Sequence, residues 1–107
     1  ERNRILKDAK LLEEAGIFSV VLECIEIKLA KKITEQLNII TVGIGSSFNC
    51  DGQVLVIDDI LGISSSEKKP KFVKSYANLE SIINNSVKKY CLDIIKKKFP
   101  NKKNVYS

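Results

Sequence analysis

The sequence predicts an α/β fold in which helices cover a parallel sheet. Three observations carry that expectation. The stretches Phe18–Leu22 and Ile39–Ile44 are continuous apolar or small runs rather than alternating ones, as strands of parallel sheets are. A segment of helical periodicity lies between them, which supplies the crossover that parallel pairing needs. A long amphipathic segment closes the chain.

The elements follow in order. Residues 2–15 carry Ile5, Ala9 and Leu12 at helical spacing, with Leu6 alongside. Gly16 stands where a helix C-terminal glycine is expected. Phe18-Ser19-Val20-Val21-Leu22-Glu23-Cys24 reads as a strand buried on both faces and ending in a carboxylate. Glu26 to Leu37 places Ala30, Ile33 and Leu37 on one helical face, and Asn38 is expected to close that helix in the left-handed conformation. Ile39 to Gly45 reads as a second buried strand. After a loop over Ser46–Gly52, a third strand is expected over Gln53–Ile57, ending at Asp58-Asp59. Leu61 to Lys74 reads as loop, with Gly62, Ser64-Ser65-Ser66 and Pro70. A long helix is expected from about Asn78 to Lys98, with the stripe Leu79, Ile82, Ile83, Val87, Tyr90 and Ile94, and with Pro100 stopping it.

A chain of 107 residues holds one domain at most. No apolar run approaches the roughly 20 residues of a membrane helix, and no secretory signal is visible after Glu1-Arg2-Asn3-Arg4. The chain has no methionine, so it is expected to be a segment of a longer protein. Three strands with open apolar edges would be an aggregation liability, which points the same way. The net charge of +5 comes largely from Lys68, Lys69, Lys71, Lys74 and the lysines after residue 95. No aromatic residues interleave with them as a stacking surface would require, so a solvated face is expected rather than a nucleic-acid site. Cys24, Cys50 and Cys91 are odd in number and widely spaced, and there is no histidine. That excludes a zinc site and the usual histidine-paired nucleophiles, and it fits free thiols in a reducing, cytoplasmic setting.

Glu23 is the residue that points to chemistry. Burying a carboxylate at a strand tip is costly unless it is paired, coordinated or used. On the residues alone, a structural ion pair and a general base stand even. Gly43 and Gly45 could cradle a phosphate, but backbone room at a crowded strand end is the better reading. Asp58 and Asp59 could ligate magnesium, or one of them could serve a helix N-terminus. Asp51 reads as a turn or capping residue, and Cys24 as packing, its side chain opposite that of Glu23.

Val21-Leu22-Glu23-Cys24, Gly43-Ile44-Gly45-Ser46-Ser47, Cys50-Asp51-Gly52-Gln53-Val54-Leu55-Val56, Leu61-Gly62 and Pro70-Lys71-Phe72-Val73-Lys74 closely resemble ketopantoate hydroxymethyltransferase. The resemblance covers essentially the whole chain. It implies residues 1–107 as a single partial domain: the C-terminal part of a (β/α)₈ TIM barrel of the phosphoenolpyruvate mutase and isocitrate lyase type, with about three βα units and a long terminal helix. It implies transfer of a hydroxymethyl group from 5,10-methylenetetrahydrofolate to 3-methyl-2-oxobutanoate, giving ketopantoate for pantothenate synthesis. Glu23 is then the proton acceptor, and Gly45, Ser46 and Ser47 line the folate side. Magnesium is implied with ligands outside this segment, as are a large homo-oligomer and a small-molecule substrate without nucleic acid or membrane. The sequence departs from the family pattern at Ile40, Ser47, Asp58 and Asn104. The competing expectations are a non-catalytic barrel fragment that acts only by assembling with partner chains, and a basic nucleic-acid binder. An upstream segment bearing carboxylates at strand ends would favour the enzyme, and salt-dependent nucleic-acid affinity would favour the last.

Overall fold

The computed structural model describes residues 1–63 and 68–106. Its described residues divide into two compact units, residues 1–56 with 68–74, and residues 57–63 with 75–106. In the first unit, α1 (Arg2–Glu14) leads into β1 (Ser19–Glu23), followed by α2 (Ile27–Gln36), β2 (Ile40–Ile44) and β3 (Gly52–Gln53). The sheet order is β1-β2-β3 and both pairings are parallel.

α2 forms because its ends and its face are both satisfied. The Glu26 carboxylate accepts from the backbone N–H groups of Lys28 and Leu29, each at 3.2 Å, and so caps the first turn. Leu29, Ala30 and Ile33 are buried along one side, as the spacing predicts. They join Ala9 of α1, Leu22 of β1, Leu37 and Cys50 in the core. Gly16 takes φ +90 after α1, as a C-terminal glycine does. Leu12, expected on the buried face of α1, is 44% exposed, and Ala9 alone of that helix is buried.

Several expectations are corrected. β1 is covered on one face only: Leu22 is buried while Val21 is 58% exposed. Both helices of this unit lie on the Leu22 side, so nothing in the unit covers the other. Asn38 is not left-handed. α2 ends instead on an extended Leu37, and the Asn38 N–H donates to the Glu13 carboxylate. The third strand is cut to Gly52–Gln53, because Ile57–Leu61 turns into a short helix, α3. Asp58 and Asp59 sit in its first turn, where the helix dipole favours anions. The terminal helix, α4, spans Leu79–Ile95 and is capped by the Asn78 side chain on the Ser81 N–H at 3.3 Å. Its stripe is not buried: Ile82, Ile83, Val87, Tyr90 and Ile94 are all exposed or half-exposed. Ser64-Ser65-Ser66 lies outside the described residues.

The β2–β3 connection, residues 45–51, is short for a parallel pair, which usually needs a dozen or more residues. A polar clasp holds it. The fully buried Thr41 donates its N–H and its hydroxyl to the Asp51 carboxylate at 2.8 and 3.0 Å, and the Asp51 N–H approaches the same hydroxyl at 3.2 Å. Thr34 of α2 joins through a 2.9 Å hydroxyl contact to Thr41 and donates to the Ala30 carbonyl. Helix, strand and loop thus share one network.

Ile33 is wholly buried. Ile33→Ala is expected to lower unfolding stability by about 2–5 kcal/mol, read from urea denaturation. Thr41, by its backbone N–H first and then its hydroxyl, holds the Asp51 carboxyl below its usual 3.8. A depressed acid contributes stability above the unfolded value and loses it as pH falls through the folded one. Asp51→Ala should therefore melt below the unmodified chain near neutrality, with the gap closing below 3.8. Parallel melting curves against pH would check this.

Candidate active site

Side chains alternate along a strand, so neighbours in sequence face opposite sides of the sheet. Val20 and Leu22 face the helices. Val21 and Glu23 therefore face the bare side, beside Val42 and Ile44, their register partners in β2. Glu23 is the last residue of β1 and is exposed. Among the described residues its carboxylate makes no hydrogen bond or ion pair. A strand buried on both faces would partly desolvate it; the uncovered sheet face leaves it open in this chain.

The chain turns sharply at the next residue. Cys24 has φ +53, and its N–H donates to the Ile44 carbonyl at 2.9 Å. Expected as packing, Cys24 is exposed and lines a cleft of about 840 Å³. The cleft lies at the C-terminal end of the sheet, where the loops after β1 and β2 meet residues 71 and 72.

Gly45, Ser46 and Ser47 all line this cleft. Their polar groups are already engaged. The Ser46 hydroxyl donates to the Ile25 carbonyl at 3.0 Å, tying together the loops after β1 and β2. Ser47 is 2% exposed; its hydroxyl accepts from the Asn49 N–H and its carbonyl accepts from the Gln53 amide at 2.8 Å. The glycines serve close approach. A Cβ on Gly43 would stand 3.0 Å from the Gln53 side-chain amide and 3.1 Å from the Cys50 sulfur. A Cβ on Gly45, at φ +60, would stand 2.6 Å from the Phe72 ring.

The sequence reading missed two features here. One is Glu26 as the α2 cap, signalled by a carboxylate just ahead of a helical pattern. The other is the seating of Phe72 on Gly45, which no local pattern signals. Among the described residues, no group of three or more acidic, thiol or imidazole side chains could hold a metal ion. The magnesium that the resemblance implies is expected to take its ligands from outside this segment, and no step below is routed through it. No helix among the described residues is long and apolar enough to cross a membrane.

Comparison with known proteins adds the following. A family profile described as ketopantoate hydroxymethyltransferase matches residues 1–102. The 3-methyl-2-oxobutanoate hydroxymethyltransferase of Pelagibacter ubique is 53% identical over 106 residues, covering 99% of this chain and 40% of that protein. Proteins of the same name match at 50% identity in Geobacter metallireducens, over 100% of this chain and 40% of that protein, and in Saccharolobus islandicus, over 95% and 38%. The chain thus spans about two-fifths of the length of the curated relatives it matches.

Gly45→Ala places an L-residue in the left-handed region, at about 1–2 kcal/mol, and drives a methyl group into Phe72. Gly52→Ala meets open space and serves as the control. Denaturant unfolding is expected to show a clear loss for the first and little change for the second.

Proposed function

The chain belongs to the ketopantoate hydroxymethyltransferase family, and from that premise we propose that the protein it serves makes ketopantoate, with Glu23 as the proton acceptor. In this reading residues 1–107 form one partial domain, the C-terminal part of a (β/α)₈ barrel. The full protein works in the cytoplasm as a homo-oligomer. It takes the hydroxymethyl group from 5,10-methylenetetrahydrofolate and adds it to 3-methyl-2-oxobutanoate.

The observation that supports this most is the facing of Glu23. It ends a parallel strand, on the side of the sheet the helices leave free. In barrels of parallel strands the C-terminal ends carry the catalytic groups. A carboxylate there, once the bare face is closed and water is thinned, becomes a stronger base. It accepts the proton from C3 of the 2-oxo acid, and the electron pair left behind delocalises into the adjacent carbonyl as an enolate. The enolate carbon bonds to the one-carbon unit as the two C–N bonds that hold it to the carrier break; water supplies the hydroxyl, and the proton taken from C3 and the second proton of that water end on the two freed nitrogens of tetrahydrofolate. The exposed carboxylate has no competing partner among the described residues, so it is available for this work.

In the complete protein, Glu23→Gln is expected to lower kcat by about 10²–10⁴-fold, the usual weight of a positioned base. The KM for the oxo acid should hardly move, because the amide keeps the shape of the site. Steady-state kinetics on the two proteins reads both numbers, and near-normal kcat in the variant would remove Glu23 from this role.

A further inference from the structure

We propose that the left-handed turn at Cys24 aims Glu23, which makes Cys24 a positioning residue of the proposed reaction through its backbone and not through its thiol. This rests on Glu23 being the base, and the experiment below separates the two claims.

Cys24 sits at φ +53, where a Cβ crowds the main chain and glycine or asparagine is the usual occupant. Among the described residues, Lys97 is the one other non-glycine residue with positive φ. Lys97 follows α4, where a left-handed residue is an ordinary helix ending. Cys24 follows a strand, so no helix ending explains it. Burial does not explain it either, because the side chain is exposed. A conformation of this kind persists only where its surroundings impose it, and such places cluster at functional sites.

The surroundings are specific. On one side, the Cys24 N–H donates to the Ile44 carbonyl at 2.9 Å, so the peptide that joins Glu23 to Cys24 still belongs to the ladder between β1 and β2. On the other side, the Ile25 carbonyl accepts from the Ser46 hydroxyl at 3.0 Å, and the Glu26 carboxylate caps α2. The chain must pass from a strand fixed at Glu23 to a helix fixed at Glu26 with only Cys24 and Ile25 between them. Left-handed backbone at Cys24 makes that turn and keeps the ladder bond. The neighbouring strand exits in the same way: Ile44, the register partner of Glu23, is followed by Gly45 at φ +60. The Ser46 bond ties the two exits together. A residue that resists left-handed backbone at position 24 would push the turn back into the peptide after Glu23. That breaks the ladder bond and swings the carboxylate, and a displacement of about 1 Å costs a positioned group about 10²-fold in rate.

The test uses the complete protein and substitutions at this one position. Exchange of the C3 hydrogen of 3-methyl-2-oxobutanoate with solvent reads the base. Calorimetry with the same oxo acid reads folding and the integrity of the site. Cys24→Gly and Cys24→Asn accept left-handed backbone without a thiol, and they are expected to exchange within about threefold of the unmodified protein. Cys24→Val is β-branched, an outlier in that conformation, and is expected to exchange about ten- to a hundredfold more slowly, with the oxo-acid Kd within about twofold. If Cys24→Val does not bind the oxo acid, Cys24→Leu is read in its place; if neither binds, the turn serves folding alone and the proposal falls. Normal exchange in the folded variant overturns it. So does a loss of about tenfold or more in Cys24→Gly and Cys24→Asn, which would give the role to the thiol. Glu23→Gln tells the two claims apart. Exchange at the unmodified rate in that variant removes the base itself; loss of exchange in Glu23→Gln but not in Cys24→Val leaves Glu23 standing and removes only the role of Cys24.

Discussion

Alternation along five residues of β1 governs the molecule. Leu22 must turn toward the helices because only there can it be buried with Leu29, Ala30 and Ile33. Once Leu22 is down, Val21 and Glu23 are up, since a one-residue slip would exchange the two faces entirely. The parallel register with β2 locks that choice through residue-by-residue pairing from Ser19–Ile40 to Glu23–Ile44. The position of the carboxylate is therefore a by-product of packing on the opposite face. Apolar burial sets where the acid points, and the chemistry proposed above would use the result.

The second strand solves a different problem. Its exit must reach β3 through a connection too short for a helix. The Thr41–Asp51 clasp anchors the far end of that loop to a buried strand residue, and Cys50 and Ser47 pack beneath it. At the near end Gly45 bends in the left-handed region and leaves room for Phe72. One loop thus carries a structural network on one side and the wall of the cleft on the other. Substitutions that loosen the clasp should be felt in the cleft as well as in stability.

Much of this was legible in the residues. The helical period of Ala30, Ile33 and Leu37 marks a buried face, and all three are buried. Gly16 marks a helix end, and the first strand ends at Glu23 as its apolar run does. Family membership was legible in the blocks around Gly43–Ser47 and Asp51–Val56. The rest was not local. A continuous apolar run such as Phe18–Leu22 reads as buried on both faces, yet which face is covered depends on elements elsewhere in the chain. Val54–Ile57 is equally apolar as strand or as entry to a helix, and Asp58-Asp59 was the only signal for the helix that forms. Phe72 reaches Gly45 from far along the sequence, which no spacing rule encodes. The proposed roles, Glu23 as the base and Gly45, Ser46 and Ser47 on the folate side, come from the family resemblance, with facing added for Glu23, not from any pattern of burial.

The claim beneath all of this is that a carbon-bound proton leaves to the acid on the helix-free side of the β1 tip. A crystal structure of the complete protein with 3-methyl-2-oxobutanoate bound measures it most directly. The account predicts a Glu23 carboxylate oxygen about 3–3.5 Å from C3, inside a closed cavity. A carboxylate turned into solvent, or locked onto a neighbouring cation away from that carbon, would contradict it.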